Sequence, residues 1–212
     1  MATGRPAPGE ELNQGQVTPP RLAATVILLR GGSENLELLL VQRHPQSRFM
    51  GGAWVFPGGS VDRAEGEGEP ALRAAALREL SEEAGVDLGP QPELVPYSRW
   101  ITPAQVKIRF DTWFFLAAAP AGVTPAVDGS EIVAYRWCAP SQALAAYESG
   151  ELLLVFPTIK HLEQLAEFAT TEELLAHARG RDIHPIEPRV IATGESPRVV
   201  LPGEPGYEDQ PA

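Results

Sequence analysis

The sequence predicts an α/β fold, because segments typical of β-strands and segments typical of helices share one chain without repeats. Apolar, strand-like runs come first, one strongly helical segment follows them, and further strand-like runs precede three segments with helical spacing. The 212 residues, 43% hydrophobic and 21% charged, are enough for one domain with a substantial core.

Six segments are predicted strands. The first two, residues 22–29 and 36–41, flank a turn at 31–33 that contains two glycines, which indicates a hairpin. The third, 54–56, ends at 57–59, where a proline removes a backbone donor and two glycines allow backbone angles that other residues avoid. The remaining predicted strands are 94–101, 106–118 and 132–137.

The clearest predicted helix spans residues 71–84, which are rich in Ala, Leu, Arg and Glu and contain no internal Gly or Pro. Gly85 follows as a natural C-terminal cap. Residues 141–147, 158–168 and 171–178 also have helical spacing and composition, so helices are expected to close the fold.

Both ends of the chain differ in composition from the middle. Residues 1–20 contain four prolines and few apolar groups, which predicts a flexible N-terminal arm. The domain is expected to span residues 21–182. Residues 183–212 are Pro-rich and are predicted to form an extended tail, with 199–201 as its only apolar cluster.

The net charge of −11 opposes binding to nucleic acid or to an acidic membrane surface. A small anionic molecule is still compatible, because arginines and a bound divalent cation can reverse the field inside a pocket. The single cysteine, Cys138, cannot form an internal disulfide, and no apolar run approaches the ~20 residues of a membrane helix. We therefore expect a soluble, cytoplasmic protein.

The predicted helix 71–84 carries an unusual acidic face. At about 100° per residue, Glu79, Glu82 and Glu83 fall within one arc, while Leu77, Leu80 and Ala84 cluster on another face. Like charges three and four residues apart destabilise a helix, and no lysine lies within it to relieve them. A merely solvated acidic face is the simpler interpretation. A bound divalent cation would relieve the repulsion, and carboxylate oxygens suit Mg²⁺ or Mn²⁺.

The run Arg-Glu-Leu-Ser-Glu-Glu-Ala-Gly-Val at 78–86, with Phe-Pro-Gly-Gly at 56–59 upstream, resembles the Nudix hydrolase box, G-x5-E-x7-R-E-U-x-E-E-x-G-U with U apolar. The resemblance, with its box at 59–86, implies an α/β/α sandwich with a mixed sheet. It also implies a hydrolase that cuts a diphosphate linkage with Mg²⁺ or Mn²⁺. In this sequence Glu79, Glu82 and Glu83 match the metal-binding glutamates, and Arg78 matches the arginine that orients them. Gly58 and Gly59 match the glycines that let the backbone approach phosphate.

The match has one departure. The family's pattern places 13 residues between the box glycine and the arginine, whereas 18 lie between Gly59 and Arg78 here. The loop 60–69 therefore carries an insertion of five, and Pro70 stands where the family has its first glutamate. That role is lost or taken by one of three loop glutamates, which are Glu65, Glu67 and Glu69. Pro70 suits the first position of the helix, where its missing N–H costs nothing.

Many Nudix enzymes recruit a further acid from a later loop as a metal ligand or base. Glu131, which follows Asp128-Gly129-Ser130 and precedes a predicted strand, is the best candidate here. The alternative is an ordinary turn carboxylate. Asp62 and the loop glutamates compete with it, although a solvated loop position suits each of them better.

Residues 39–59 resemble the signature of Nudix coenzyme A diphosphatases, L-L-T-x-R-[SA]-x3-R-x3-G-x3-F-P-G-G. They match every position except Val41 and His44. Arg43, Arg48 and Gly52 fall in register. Two arginines suit coenzyme A, whose 3′-phosphate adds charge that a guanidinium can grip. The resemblance implies cleavage of coenzyme A or acyl-coenzyme A to 3′,5′-ADP and (acyl-)4′-phosphopantetheine.

Two other functions remain open at this stage. One is hydrolysis of ADP-ribose or another nucleoside diphosphate-linked compound, since an arginine at the position of Arg43 is common in Nudix proteins. The other is a non-catalytic nucleotide-binding module, although such a module need not keep the crowded carboxylates. The four tryptophans are better explained by sheet packing than by stacking on a base, and the four histidines show no metal spacing. Whether the chain forms a homodimer, as many relatives do, is also left open.

Overall fold

The computed structural model describes residue 13, residues 17–193 and residues 196–208, without the side chains of residues 192–197. Most of the predicted N-terminal arm and the last four residues of the predicted tail lie outside this range.

Strands and helices come in groups along the described part of the chain. Its strands are β1 (Arg21–Arg30), β2 (Glu37–Arg43), β3 (Trp54–Val55), β4 (Gly58–Ser60), β5 (Val95–Ile101), β6 (Phe110–Ala118), β7 (Ile132–Cys138), β8 (Pro185–Ile186), β9 (Arg189–Thr193) and β10 (Ser196–Val200). Its helices are α1 (Gly68–Ala84), α2 (Pro140–Glu148), α3 (Phe156–Leu165) and α4 (Thr171–Ala178), with a short 3₁₀ turn at Arg63–Glu65. Among these helices none is long and apolar enough to cross a membrane.

The sheet is mixed. Its main path runs β3-β2-β1-β6-β5-β8, with β4 added to β1 and β7 added to β2. The central pair, β1 and β6, is parallel, and β1 pairs with β2 and β4 in the antiparallel sense. The antiparallel pairing sets Gly58 opposite Thr25 and Gly59 opposite Ala24, which fixes both glycines beside the start of β1.

Two apolar layers cover the two faces of this sheet, as the strand period of two requires. On β1, Val26 and Leu28 point toward α1, while Ile27 and Leu29 point toward α2, α3 and α4. All four side chains are fully buried. This arrangement is the predicted α/β/α sandwich.

Several predicted boundaries shift. The strand expected from residue 106 begins only at Phe110, because the N–H of Val106 donates to Pro103 O and closes a turn there. Helix α1 starts at Gly68, so Pro70 is its third residue and not its first. A proline is still tolerated there, because the first four N–H groups of a helix have no partner within it.

The C-terminal tail is extended, but it contains more structure than its composition predicts. Strand β8 adds to the edge of the sheet next to β5, and β9 and β10 form a hairpin. The tail also has a second apolar pair, Val190 and Ile191, besides the predicted cluster at 199–201. Ile191 and Val200 are both buried, so this hairpin packs and does not trail into solvent.

His161 on α3 is fully buried among aromatic rings, with Phe114 closest at 4.2 Å between ring centres. Its Nδ1 lies 2.7 Å from Pro157 O, an acceptor, so Nδ1 carries the proton. Its Nε2 then accepts from the Ser98 hydroxyl, 2.6 Å away. Burial lowers the pKa of His161 to about 4, because the cationic ring loses its hydration.

His161 is therefore expected to make stability depend on pH. Its pKa is lowered on folding from 6.5 to about 4, so its contribution is complete above pH 6.5 and is lost as pH falls toward 4. The free energy of unfolding of wild type, relative to that of His161→Phe, should therefore fall by roughly 3 kcal/mol over that window. Urea unfolding of both proteins from pH 7.5 to 4 measures it. A constant difference would contradict the neutral, buried state of His161.

Candidate active site

The acidic half of α1 lies against β4. Helix α1 ends at Ala84 and is capped by Gly85, whose left-handed backbone (φ 63°) lets its N–H donate to Leu80 O and Ser81 O. Leu80 and Ala84 are fully buried against the sheet, as their predicted face requires. The opposite side of the same turns faces the glycine strand 58–60.

Arg78 joins this part of the helix to the inserted loop. Its Nη1 donates to Glu79 Oε1 (2.8 Å) and to Glu82 Oε2 (2.9 Å). Its Nε donates to Glu65 Oε1 (3.0 Å), and its Nη2 donates to Ser60 O (2.9 Å). One guanidinium thus fixes two of the helix carboxylates relative to β4 and to the loop.

The inserted loop supplies Glu65 to this network. Glu65 is held by the N–H of Asp62, which donates to its Oε2 at 2.6 Å, so its other oxygen faces Arg78. Glu69 pairs instead with Arg73, one turn along α1. Of the loop glutamates considered for the family's first glutamate position, Glu65 is therefore the one that the structure places at Arg78.

Glu83 is the most enclosed of the helix carboxylates, with only 5% of its surface exposed. Its Oε2 accepts the N–H of Gly58 at 2.9 Å, and its Oε1 lies 3.7 Å from Arg43 Nη1. Burial raises its pKa to about 7, and these two partners only partly offset the effect. The charges of Glu79 and Glu131 add to the rise.

Glu79 is half-buried, and burial likewise raises its pKa, with Arg78 opposing the shift and Glu82 and Glu131 adding to it. Glu131 is exposed, directly before β7. Its backbone is anchored because its N–H donates to the Asp128 carboxylate (3.2 Å) and its carbonyl accepts the N–H of His44 (2.7 Å). Glu79 and Glu83 therefore both lie close enough to Glu131 for its charge to raise their pKa.

Burial and neighbouring acids raise the pKa of Glu79 and Glu83, which means that too little positive charge lies near these carboxylates. A hard divalent cation would supply that charge, and carboxylate oxygens are suitable ligands for it. Within the described residues no three carboxylate, imidazole or thiolate groups converge as a ready-made metal cage. The reason is visible at Arg78, which engages Glu79 and Glu82 while Glu83 binds Gly58. Of these carboxylates Glu82, 60% exposed, is the most accessible to solvent.

The unusual backbone angles predicted for Gly58 and Gly59 are not found. Neither has a positive φ, so unusual backbone angles are not the reason for glycine here. Both are needed for close approach. A Cβ on Gly58 would lie 2.6 Å from Ala24 O, and a Cβ on Gly59 would lie 2.5 Å from Glu79 Cδ. Glycine therefore lets β1, β4 and α1 meet at one point.

A pocket of about 330 Å³ opens beside these glycines, a size typical of small-molecule sites. Arg43, Gly58, Gly59 and Ser60 line its near end. The rest of its wall is mainly aromatic and aliphatic, and its large side chains are Phe49, Met50, Phe56, Trp100, Phe110, Phe114, Phe156, Val190 and Val199. The pocket therefore adjoins the carboxylates through β4.

The two arginines of the coenzyme A signature differ in setting. Arg43 is partly buried and lines the pocket, and its Nε is buried without a hydrogen-bond partner among the described residues. Arg48 is exposed and does not line the pocket. Arg43 therefore lies beside the carboxylate cluster, whereas Arg48 lies on an exposed loop outside the pocket.

The pocket wall was not predicted from the sequence. Trp100 is buried, as expected for sheet packing, yet the same ring lines the pocket. Val190 and Val199 come from the tail, which had no predicted role. The two short apolar runs at 190–192 and 199–201 were the available signal, although the prolines and glycines nearby obscured it.

Comparison with known proteins agrees with this geometry. The sequence model of the NUDIX domain family matches residues 19–155, more than half of the chain. The chain therefore belongs to the NUDIX family and is a Nudix pyrophosphohydrolase. Members of this family generally use divalent metals.

Individual relatives are more distant. The human protein named acyl-coenzyme A diphosphatase NUDT19 is 26% identical over 302 aligned positions, which cover 88% of this chain and 80% of that protein. The crystal structure of a NUDIX hydrolase from Alicyclobacillus acidocaldarius is 28% identical, with a TM-score of 0.67, and covers 76% of this chain and 97% of that one. The NUDIX domain of Shewanella oneidensis NrtR, solved with ADP ribose, shares the fold at 21% identity and a TM-score of 0.54, covering 71% of this chain and 88% of that one.

The two glycines of β4 should respond differently to alanine. In Gly59→Ala the new methyl group displaces the movable Glu79 carboxylate, so we expect a folded protein whose kcat falls on the order of 10²-fold. In Gly58→Ala the methyl group meets the backbone of β1, so we expect a loss of roughly 1–3 kcal/mol in stability. Thermal unfolding and steady-state kinetics separate the two effects. Full turnover in Gly59→Ala would show that the position of Glu79 does not matter.

Proposed function

We propose that this protein cleaves the diphosphate of coenzyme A or acyl-coenzyme A, in a reaction that depends on Mg²⁺ or Mn²⁺. The products would be 3′,5′-ADP and 4′-phosphopantetheine or its acylated form. The observation that carries this proposal is the match of residues 39–59 to the coenzyme A signature, with Arg43, Arg48 and Gly52 all in register. The coenzyme A signature places Arg43 in register with the Phe-Pro-Gly-Gly turn, and its guanidinium lies 3.7 Å from Glu83, between the carboxylates and the pocket. The similarity to the human acyl-coenzyme A diphosphatase supports it.

The helix carboxylates provide the cation site in this proposal. Glu79, Glu82 and Glu83 are the residues that would hold the cation. When bound, a divalent cation neutralises the charge on the diphosphate and lowers the pKa of an attacking water. Arg78 keeps Glu79 and Glu82 in place through two hydrogen bonds from one nitrogen. Arg43 is positioned to bind a diphosphate oxygen, because its buried Nε has no hydrogen-bond partner among the described residues.

A carboxylate must also accept the proton that the water loses as it attacks phosphorus. Glu79 suits this role, because burial and the neighbouring acids raise its pKa toward the range in which a base acts efficiently. Glu131 is the alternative base or a further ligand, since its charge acts on both Glu79 and Glu83. Replacing each with glutamine and comparing the acidic limbs of the pH–rate profiles distinguishes these roles.

A substrate panel tests the proposed function. The purified protein would be assayed with Mg²⁺ on coenzyme A, an acyl-coenzyme A, ADP-ribose and NADH under matched conditions. We expect the highest kcat/KM for coenzyme A or its acyl derivative. A clear preference for ADP-ribose would assign the protein to the other substrate class. Binding of these compounds without turnover of any would indicate a non-catalytic module.

A further inference from the structure

We propose that the apolar pocket holds the pantetheine side of the substrate, and that the C-terminal hairpin of β9 and β10 forms the wall that selects it. This inference rests on the proposed function and deepens it, because it says which half of the substrate lies in the pocket and which residues distinguish it. The nucleotide half then lies outside, on the side of Arg48.

The charge of the pocket supports this assignment. Arg43, at the near end, is the one charged side chain among the described residues that line it. The 3′-phosphorylated ribose would carry about two negative charges into an apolar space, where an unpaired charge is costly. Arg48, the second arginine of the coenzyme A signature, is exposed outside the pocket, where it could hold that phosphate.

The pocket also matches the chemistry of the pantetheine arm, which has a branched apolar carbon next to the diphosphate and two amides beyond it. Phe49, Phe110 and Phe156 offer the apolar surface. Polar partners are few but present. The indole N–H of Trp100 is buried without a partner among the described residues, and the Thr102 hydroxyl oxygen accepts from the Phe110 N–H, which leaves its own hydrogen free to donate.

The hairpin presents one face to this pocket. Val190 and Val199 are direct partners across β9 and β10, so their side chains lie on the same face, and both line the pocket. The opposite face carries the buried Ile191, which the following turn covers at Gly206. The valine pair therefore forms part of the pocket wall.

Polar contacts hold the tail in this position. Arg109, only 8% exposed, donates to the Glu187 carboxylate at 2.6 Å and to the carbonyls of Thr18 and Thr102. Tyr207 donates its hydroxyl hydrogen to Glu187 O at 2.9 Å. The segment that carries the valine pair is thus fastened to the loop at the pocket's edge.

The test measures binding of each reaction product, in metal-free buffer, to wild type and to Val199→Phe. The larger ring should fill the pocket, so we expect the Kd of 4′-phosphopantetheine to rise about tenfold or more, equivalent to losing two or more buried methylene groups. The Kd of 3′,5′-ADP should stay within about twofold of wild type. Val199→Ala, which removes contacts without adding bulk, should weaken 4′-phosphopantetheine in the same direction.

Arg198→Ala is the matched control, because Arg198 precedes Val199 on the same strand and its side chain turns away to donate to Pro205 O. It should leave both Kd values unchanged, and thermal unfolding checks that each variant is folded. Weaker 3′,5′-ADP binding in the valine variants, or no change for either product, would overturn the inference. If wild type cleaves coenzyme A in either case, the proposed function stands. Absence of that cleavage defeats the proposed function separately.

Discussion

Glu83→Gln is expected to lower kcat by at least about 10²-fold while the protein stays folded. Glutamine keeps the shape of the side chain and can still accept the N–H of Gly58, but it is a much poorer ligand for a hard cation. Glu82→Gln should lose activity as well, although its side chain is 60% exposed and contributes little to folding. Steady-state kinetics at saturating Mg²⁺ measure both losses.

Glu83→Gln should also be more stable than wild type in metal-free buffer at alkaline pH. Folding raises the pKa of Glu83 from 4.5 to about 7. The stabilisation of the fold by protonated Glu83 is therefore fully present below pH 4.5 and is lost as pH rises through 7. At pH 8 the buried charge costs roughly 3 kcal/mol, which Glu83→Gln removes. A melting temperature about 5–10 °C higher is expected.

Glu163→Gln is a suitable control, because Glu163 forms an exposed ion pair with Lys160 on α3 and lies outside the acidic cluster. It should leave both turnover and the pH dependence of melting unchanged. Wild-type rates in Glu82→Gln and Glu83→Gln together would end the argument that these carboxylates hold a catalytic cation.

Arg48→Ala is expected to reduce activity on coenzyme A more than on dephospho-coenzyme A. Only coenzyme A carries the 3′-phosphate that the exposed Arg48 is proposed to hold. Losing a charged hydrogen bond of this kind costs about 1.5–3 kcal/mol, or roughly ten- to hundredfold in kcat/KM. The ratio of kcat/KM for the two substrates is the measurement.

Arg179→Ala provides the control for a lost surface charge, since Arg179 is 52% exposed and pairs with Glu93. It should change neither rate. An equal loss on both substrates in Arg48→Ala would instead mean that Arg48 serves the shared diphosphate or the loop itself.

Much of the fold followed from local sequence patterns. The strongest prediction was α1, because a long segment without Gly or Pro followed by Gly85 leaves few alternatives. The strands β1 and β2 were also clear, since apolar residues fill both faces of a central strand. The start of strand β6 was predicted four residues too early. Val106 is apolar and buried, as a strand residue would be, but it lies in a turn.

Contacts between distant segments were harder to predict. The helix carboxylates could be recognised from their spacing, but nothing local indicated that Glu83 would be buried beneath the Gly58 N–H. The choice of Glu65 among the loop glutamates depends on how the inserted loop folds back onto Arg78. The hairpin of β9 and β10 packs beside residues that are distant in sequence and that come together only in the folded chain.

The most direct test of the account is product analysis after incubation of coenzyme A with the wild-type protein. Mass spectrometry would quantify nucleotide and pantetheine products with Mg²⁺ and with a chelator. We expect 3′,5′-ADP and 4′-phosphopantetheine in equal amounts with Mg²⁺, and neither with the chelator. Intact coenzyme A in the presence of Mg²⁺, from a preparation that hydrolyses ADP-ribose, would contradict it.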